Sequence, residues 1–125
     1  MKNSVIAEKS FQLALKGVQF YQQVLQTNRD FVTERQFLRS ITSVCANVRE
    51  AQNAQSKLDF IHKLHIAQKE CAETQCWLEL MMATQRITEV QFDCLNKDCE
   101  EVFRILRSII LTTRRNLKLD SMYNS

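Results

Sequence analysis

Apolar side chains recur along the chain at alternating steps of three and four residues, the spacing that lines one side of an α-helix. Four such stripes follow one another. They consist of Ala7, Phe11, Ala14, Val18, Tyr21 and Leu25; of Phe37, Ile41, Val44, Val48 and Ala51; of Phe60, Leu64, Ala67, Cys71, Thr74, Leu78 and Met81; and of Phe92, Leu95, Cys99, Val102, Leu106, Ile109 and Thr113. Four stripes in 125 residues predict an all-α protein built as a four-helix bundle.

Local sequence patterns predict where these helices begin. Thr33-Glu34-Arg35-Gln36 and Thr88-Glu89-Val90-Gln91 have the form of a capping box, in which the threonine hydroxyl and the glutamine side chain each accept a backbone N–H. Ser56-Lys57-Leu58-Asp59 is a weaker version. The predicted helices are 4–26, 34–54, 57–85 and 89–118. Because the connections are short, successive helices are expected to run antiparallel, up-down-up-down, in a single domain over 1–125.

Composition excludes several classes of protein. The chain has one glycine, Gly17, and no proline, so it cannot form a dinucleotide-binding fingerprint, a P-loop or the tight turns of a sheet protein. Gly17 falls inside the first helix, where it is expected to permit close helix packing. No apolar run approaches the ~20 residues of a membrane span. An odd number of cysteines, five, and no apolar leader indicate a soluble protein of the reduced cytoplasm.

The residues that could support catalysis or metal binding do not form a recognisable site. Both histidines, His62 and His65, lie on the third helix, and only Asp59 with His62 approaches the spacing of a di-iron site. No two cysteines form a Cys-x-x-Cys pair, and Cys71 and Cys99 fall on the apolar stripes, where they are expected to pack as small core residues. No catalytic residue, metal or cofactor is therefore expected, and the protein is not expected to be an enzyme.

Charge is unevenly distributed although the net charge is only +3. Residues 89–101 carry five carboxylates and one lysine, a net charge of −4, whereas 102–125 carry five cations and one aspartate, a net charge of +4. On a helix the five cations gather in an arc of about 100° opposite the apolar stripe. They are Arg104, Arg107, Arg114, Arg115 and Lys118. Two interpretations remain open: a solvated face, or a surface that binds the phosphate backbone of a nucleic acid.

A second polar group flanks the stripes of the second and third helices. It comprises Asn47, Glu50, Lys63, Glu70 and Glu73. The carboxylates could pair with Lys63, Lys69 or Asn47 in a network that fixes the helix register, or the group could contact a ligand or nucleic acid.

Apolar residues also extend beyond the core stripe of the fourth helix. The additional positions are Phe103, Ile105, Ile110 and Leu117. A monomer would leave part of this wide apolar surface exposed to water, so the pattern favours self-association. Trp77 is a second candidate interface residue.

The second and third helices carry a long and specific pattern. A serine is followed by Ala-Asn and an acidic residue, and after a short turn come Ser-x-x-Asp-Phe, an Ile-Ala step and Glu-x-x-Glu-Thr-x-x-Trp-Leu. The matching residues are Ser43, Ala46, Asn47, Glu50, Ser56, Asp59, Phe60, Ile66, Ala67, Glu70, Glu73, Thr74, Trp77 and Leu78. Over nearly its whole length the chain resembles the bacterial four-helix bundle family named for proteins encoded in the intervening sequences of 23S rRNA genes. It departs from the family at Val44-Cys45-Ala46, where a small residue such as glycine is common.

The resemblance implies an up-down bundle that assembles into a homo-oligomeric ring, a pentamer, without known enzymatic activity. Ribosomal or other structured RNA is the implied partner, and the motif residues, together with Lys63, are implied to be structural. A similar bundle is the accessory protein of diversity-generating retroelements, a more basic pentamer that binds nucleic acid and a reverse transcriptase. The expected function is RNA binding through the fourth helix. A retroelement accessory protein and a scaffold that binds only protein are the alternatives.

Overall fold

A computed structural model describes residues 4–27 and 30–124, which contain four α-helices and no strand. The helices are α1 (Val5–Val24), α2 (Val32–Gln52), α3 (Lys57–Ala83) and α4 (Glu89–Asn124). Seven of the eight boundaries lie within two residues of the prediction. The exception is the end of α4, which continues six residues past 118 because no glycine or proline interrupts it and Asp120 pairs with Lys57 of α3 at 3.1 Å.

Two of the three predicted helix starts are confirmed. The backbone N–H of Thr88 donates to Gln91 Oε1 at 3.0 Å, and the N–H of Gln91 donates to Thr88 Oγ1 at 3.1 Å, which is the reciprocal pair of a capping box. Ser56 Oγ likewise accepts from the N–H of Asp59 at 3.1 Å.

The capping box predicted at Thr33 is wrong. Helix α2 begins earlier, at Val32, whose N–H donates to Asp30 Oδ1 at 3.0 Å. Glu34 is fully buried, and its carboxylate binds the guanidinium of Arg86 at 2.8 and 2.9 Å. Tertiary pairing of this acid therefore replaces the local cap.

The four helices pack as a bundle around one cluster of buried side chains, in which α2 contacts α1 and α3, and α4 contacts α3 and α1. The predicted stripes of α2 and α3 are confirmed, except that Phe60 is half-buried and Ile61 is the buried residue of that turn. No helix of the described residues is long and apolar enough to cross a membrane.

The predicted stripe of α1 is wrong by about one residue. Phe11 and Leu25 are about half exposed, at 48% and 51%. The buried positions are Ile6, Ser10, Leu13, Ala14, Gly17, Phe20 and Val24. This face contains the only glycine, and a Cβ at Gly17 would lie 2.7 Å from Ile41 Cγ2. The predicted close packing at Gly17 is therefore confirmed, and the buried face of α1 is the one that carries Gly17.

The stripe of α4 is confirmed as far as Leu106 and then departs from the prediction. Leu95, Cys99, Val102 and Leu106 are buried, whereas Phe92, Ile109 and Thr113 are half-buried and Ile110 is buried instead. Steps of four residues rotate the stripe by about 40° each. The rotation turns the later stripe towards α3, because α1 begins only at Val5 and accompanies the first half of α4.

Candidate nucleic-acid interface

The cations of α4 lie on its exposed face. Arg104, Arg107, Arg114, Arg115 and Lys118 are all solvent-exposed. Among the described residues, the ion-pair contact of Arg104 is a long one within its own helix, 3.9 Å to Glu100, and its side chain is 69% exposed. The face therefore presents positive charge to solvent, with Leu111, half exposed, among the cations.

A cavity of about 550 Å³ lies beside this face, between α3 and α4. Its lining comprises His62, His65, Ile66, Gln68, Lys69, Phe103 and Arg107. Three basic or titratable residues of α3 thus share a cavity wall with an arginine of α4. We call the set His62, His65, Lys69, Arg107 and Arg114 the basic groove.

One contact joins the two helices of the groove directly. Arg114 Nη2 lies 2.6 Å from His65 Nε2. A guanidinium nitrogen only donates hydrogen bonds, so a hydrogen bond at this contact requires Nε2 as the acceptor, in the neutral tautomer with its proton on Nδ1. The contact joins His65 of α3 to Arg114 of α4.

The sequence placed the α4 cations together but did not join them to the histidines of α3. The available signal is the spacing of His62, His65 and Lys69, which lie three and then four residues apart and hence on one side of α3. Only packing of α4 along that side brings Arg107 and Arg114 to them, and this long-range contact has no local sequence signature.

The carboxylates of α4 have cationic partners on other helices. Asp98 pairs with Lys16 and Glu101 pairs with Lys9 at 3.2 Å, both on α1. The hydrogen bond to Asp98 raises the pKa of Lys16 above its ordinary value of 10.5, against the opposing effect of desolvation. Two of the five carboxylates in 89–101 are thus paired with α1, whereas the cations of the later half of α4 are exposed.

The flanking polar residues form ion pairs between α2 and α3. Glu50 pairs with Lys63 at 3.0 Å, and the hydrogen bond that Lys63 donates to this carboxylate raises the pKa of Lys63. Glu70 and Glu73 pair with Arg39, at 3.5 Å for Glu70. These contacts match a network that connects the two helices, but Arg39, which the sequence analysis did not consider, takes the place expected for Lys69.

The other motif residues make structural contacts. Asn47 donates to the backbone carbonyl of Ser43 at 2.8 Å and so stays within its own helix. The Thr74 hydroxyl is fully buried, donates to the carbonyl of Glu70 at 2.7 Å and lies 2.9 Å from Ser40 Oγ.

The two aromatic motif residues pack against the core. Phe60 and Trp77 are both half-buried there, and the Trp77 Nε1 atom is buried without a hydrogen-bond partner in the described structure. Asp59 begins α3 together with the Ser56 cap. The polar contacts of Glu70, Glu73 and Thr74 are therefore made with α2, whereas the motif residue Ile66 lines the cavity on the α4 side of α3.

Within residues 4–27 and 30–124, no group of three or more histidine, cysteine or acidic side chains could hold a metal ion. Cys71 and Cys99 are buried as predicted, and the Cys99 thiol donates to the carbonyl of Cys71 at 3.3 Å. The hydrogen bond with Cys99 and burial raise the pKa of the Cys71 thiol. A thiol held in its neutral form is a poor nucleophile.

Comparison with known proteins identifies the family. The model of the 23S rRNA-intervening sequence protein family matches residues 2–108. The chain belongs to this family. A crystal structure of a protein of unknown function from the S23 ribosomal protein family of Bacteroides thetaiotaomicron is similar, with a TM-score of 0.82 and 45% identity over 85% of this chain and 98% of that chain. A search of curated proteins finds no match.

The extent of the family match divides the α4 cations. Arg104 and Arg107 fall within residues 2–108, whereas Arg114, Arg115 and Lys118 lie beyond them. Family membership therefore accounts for the bundle and the α2–α3 motif, and the later part of the basic face has to be interpreted from this chain's own residues.

Proposed function

We propose that this family member is a non-enzymatic RNA-binding protein of the bacterial cytoplasm that holds RNA by its phosphate backbone. The observation that carries the proposal is the basic groove, where Lys69 of α3 and Arg107 of α4 line one cavity beside the exposed cations of α4. Arginine and lysine pair with phosphate oxygens without reading the base sequence. The family's connection to 23S rRNA genes makes structured RNA the preferred ligand over other polyanions.

The proposed contacts set the expected salt dependence. Three to five cations that each neutralise one phosphate give a slope of about −2 to −5 for log K against log salt concentration. An affinity governed by apolar or base-specific contacts would fall much less steeply with salt.

Fluorescence anisotropy with a labelled structured RNA tests the proposal. Single charge reversals Arg107→Glu, Arg114→Glu and Arg115→Glu are expected to weaken binding about tenfold or more each, because each removes an attraction and adds a repulsion. The matched control is Arg35→Glu, an equal charge change at an exposed position of α2. Equal effects of all four substitutions, or a flat salt response, would contradict a localised phosphate site.

We further propose an antiparallel up-down-up-down order and assembly into a homo-oligomeric ring, a pentamer. The helix order is supported by contacts between helix ends: Gln52 Nε2 lies 3.4 Å from Ser4 Oγ, and Lys57 of α3 pairs with Asp120 of α4. The ring is implied by the family resemblance and supported by the large apolar residues that remain exposed.

A scaffold that binds another protein is the second candidate function, and an apolar groove of about 370 Å³ between α1 and α2 favours it. Phe11 and Leu15 line this groove and are 48% and 39% exposed. In the retroelement alternative the partner would be a reverse transcriptase. A pull-down with and without ribonuclease separates the candidates: recovery of a protein partner after ribonuclease treatment favours the scaffold, and recovery only with intact RNA favours RNA binding.

A further inference from the structure

We propose that protonation of His65 strengthens RNA binding by releasing the Arg114 side chain from its contact with His65. This inference rests on the proposed function and adds its regulation: affinity should rise as the pH falls from 8 to 6. Histidine is the side chain whose charge ordinarily changes in this range.

The geometry of one contact gives the mechanism. At 2.6 Å from Arg114 Nη2, His65 Nε2 can accept a hydrogen bond only while the imidazole is neutral. In that state the guanidinium is held against α3 and part of its hydrogen-bonding capacity is used within the protein. A proton on Nε2 converts the acceptor into a donor and places two cations side by side. The hydrogen bond is then lost, and Arg114 is free to turn towards solvent and a phosphate.

A bound polyanion resolves the resulting repulsion. The same cavity wall carries Lys69, His62 and Arg107, so a protonated His65 would face cations on both α3 and α4. A phosphate between the two helices would pair with these cations and with the protonated imidazole. By linkage, any ligand that favours the protonated histidine must bind more tightly when the histidine is protonated.

Among the described residues, no carboxylate forms an ion pair with His65. Asp120 of α4 pairs with Lys57 at 3.1 Å, and Asp59, one turn before His62, is an electrostatic partner of Lys63 on the α2 side of α3. The imidazole of His65 is instead directed to Arg114. Phosphate oxygens are therefore the proposed counter-charge for the protonated state.

The test measures the affinity of one labelled structured RNA at pH 6 and pH 8 at constant ionic strength. Added positive charge in the groove is expected to tighten binding about three- to tenfold at pH 6 and to steepen the salt slope by about one. His65→Gln should remove most of this pH dependence, because a glutamine side chain can accept from Arg114 but cannot gain a proton. His65→Lys should bind tightly at both pH values, because its charge is permanent.

His62→Gln is the matched control. His62 is a second histidine that lines the same cavity, but the contact with Arg114 belongs to His65. This variant should keep more than half of the pH effect, measured as the difference in log affinity. If His62→Gln abolishes the effect and His65→Gln does not, the switch proposed for His65 is overturned.

Imidazole nitrogen chemical shifts provide a readout that does not involve RNA. At pH 8 the free protein should show His65 as the Nδ1–H tautomer, and an Nε2–H tautomer would overturn the proposal. RNA binding of equal strength at pH 6 and 8 would overturn the switch and leave the proposed function intact. Absence of RNA binding at both pH values would overturn the proposed function and the switch together.

Discussion

Gly17 shows how one residue sets the spacing of two helices. A Cβ there would lie 2.7 and 2.9 Å from two carbons of Ile41, which is itself fully buried. Gly17→Ala gains about 1 kcal/mol of helix propensity but incurs about 1–3 kcal/mol of overpacking. We expect a net loss of about 1 kcal/mol in the free energy of unfolding, measured by urea denaturation.

The control for this prediction is the same substitution made in the Ile41→Ala background. Shortening Ile41 removes the atoms that the new methyl group would meet, so Gly17→Ala should then be neutral or stabilising. An equal cost in both backgrounds would show that the clash with Ile41 is not the cause.

Cysteine reactivity should divide according to burial. Cys76 and Cys94 are exposed and are expected to react with a thiol reagent in the native protein, Cys45 more slowly, and Cys71 and Cys99 only on unfolding. A thiol titration followed by mass spectrometry measures this order. Rapid native labelling of Cys71 would contradict its buried, hydrogen-bonded position.

Cys71 also predicts a dependence of stability on alkaline pH. The pKa of the Cys71 thiol is raised above its ordinary value of 9.0, so the folded state retains a proton that the unfolded state loses. Its contribution is fully present below the unfolded pKa and is lost as the pH rises above it, at up to about 1.4 kcal/mol per pH unit. Between pH 8 and pH 10, the free energy of unfolding measured by urea denaturation should fall less in Cys71→Ala than in the unsubstituted protein.

At the scale of elements, the connection between α3 and α4 is tied to the start of α2 by a buried ion pair. Glu34 is fully buried, the Arg86 side chain is 24% exposed, and the guanidinium also contacts the carbonyl of Asp30. Arg86→Met leaves the Glu34 carboxylate buried without this partner and should cost about 3 kcal/mol of unfolding free energy.

Two further comparisons test whether the loss of unfolding free energy in Arg86→Met comes from the buried ion pair. The double variant Glu34→Met with Arg86→Met should cost less than Arg86→Met alone, because no buried charge remains. Arg104→Met, which removes a long exposed contact with Glu100, should cost less than about 0.5 kcal/mol. Additive effects of the two substitutions at Glu34 and Arg86 would contradict their coupling.

The same elements show what the sequence could predict. The capping box at Thr88 is a local pattern, and it forms as predicted. The box at Thr33 has the same local form but fails, because Glu34 pairs with a residue 52 positions away. In α1 the periodicity predicts a helix correctly but does not decide which of two neighbouring apolar faces is buried. The buried face is the one on which Gly17 permits close approach to Ile41.

In the candidate site too, local features could be predicted from the sequence and long-range contacts could not. The α4 cations could be predicted to share one face because helical periodicity alone places them there. Their proximity to His65 could not, because it depends on how α4 packs along α3. The Arg39 pairs with Glu70 and Glu73 were missed for the same reason.

At the scale of the whole molecule, the charges are arranged so that one surface remains positive. Two carboxylates in the acidic half of α4, Asp98 and Glu101, pair with lysines of α1, and Glu70 and Glu73 of α3 pair with Arg39 of α2. A ring of five copies would repeat the basic groove five times around one axis. The proposed pentamer therefore predicts a property that one copy lacks, namely avidity for RNA long enough to reach more than one groove.

This assembly can be measured by light scattering coupled to size-exclusion chromatography. Five chains of 14.7 kDa give a mass of about 74 kDa. Because large apolar side chains remain exposed on one copy, the mass should persist at high salt, where contacts made only of surface ion pairs weaken. A mass of 14.7 kDa in dilute solution would contradict the ring.

RNA length then distinguishes a ring from a single copy in the binding assay. An RNA confined to one groove should bind with the affinity of that groove. An RNA that spans two or more grooves should bind at least about a hundredfold more tightly, since the second contact is intramolecular. Arg107→Glu in every copy should weaken the long RNA more than the short one, because its effect is repeated at each engaged groove. Equal affinities for short and long RNA would mean that the grooves do not act together, even if each of them binds phosphate.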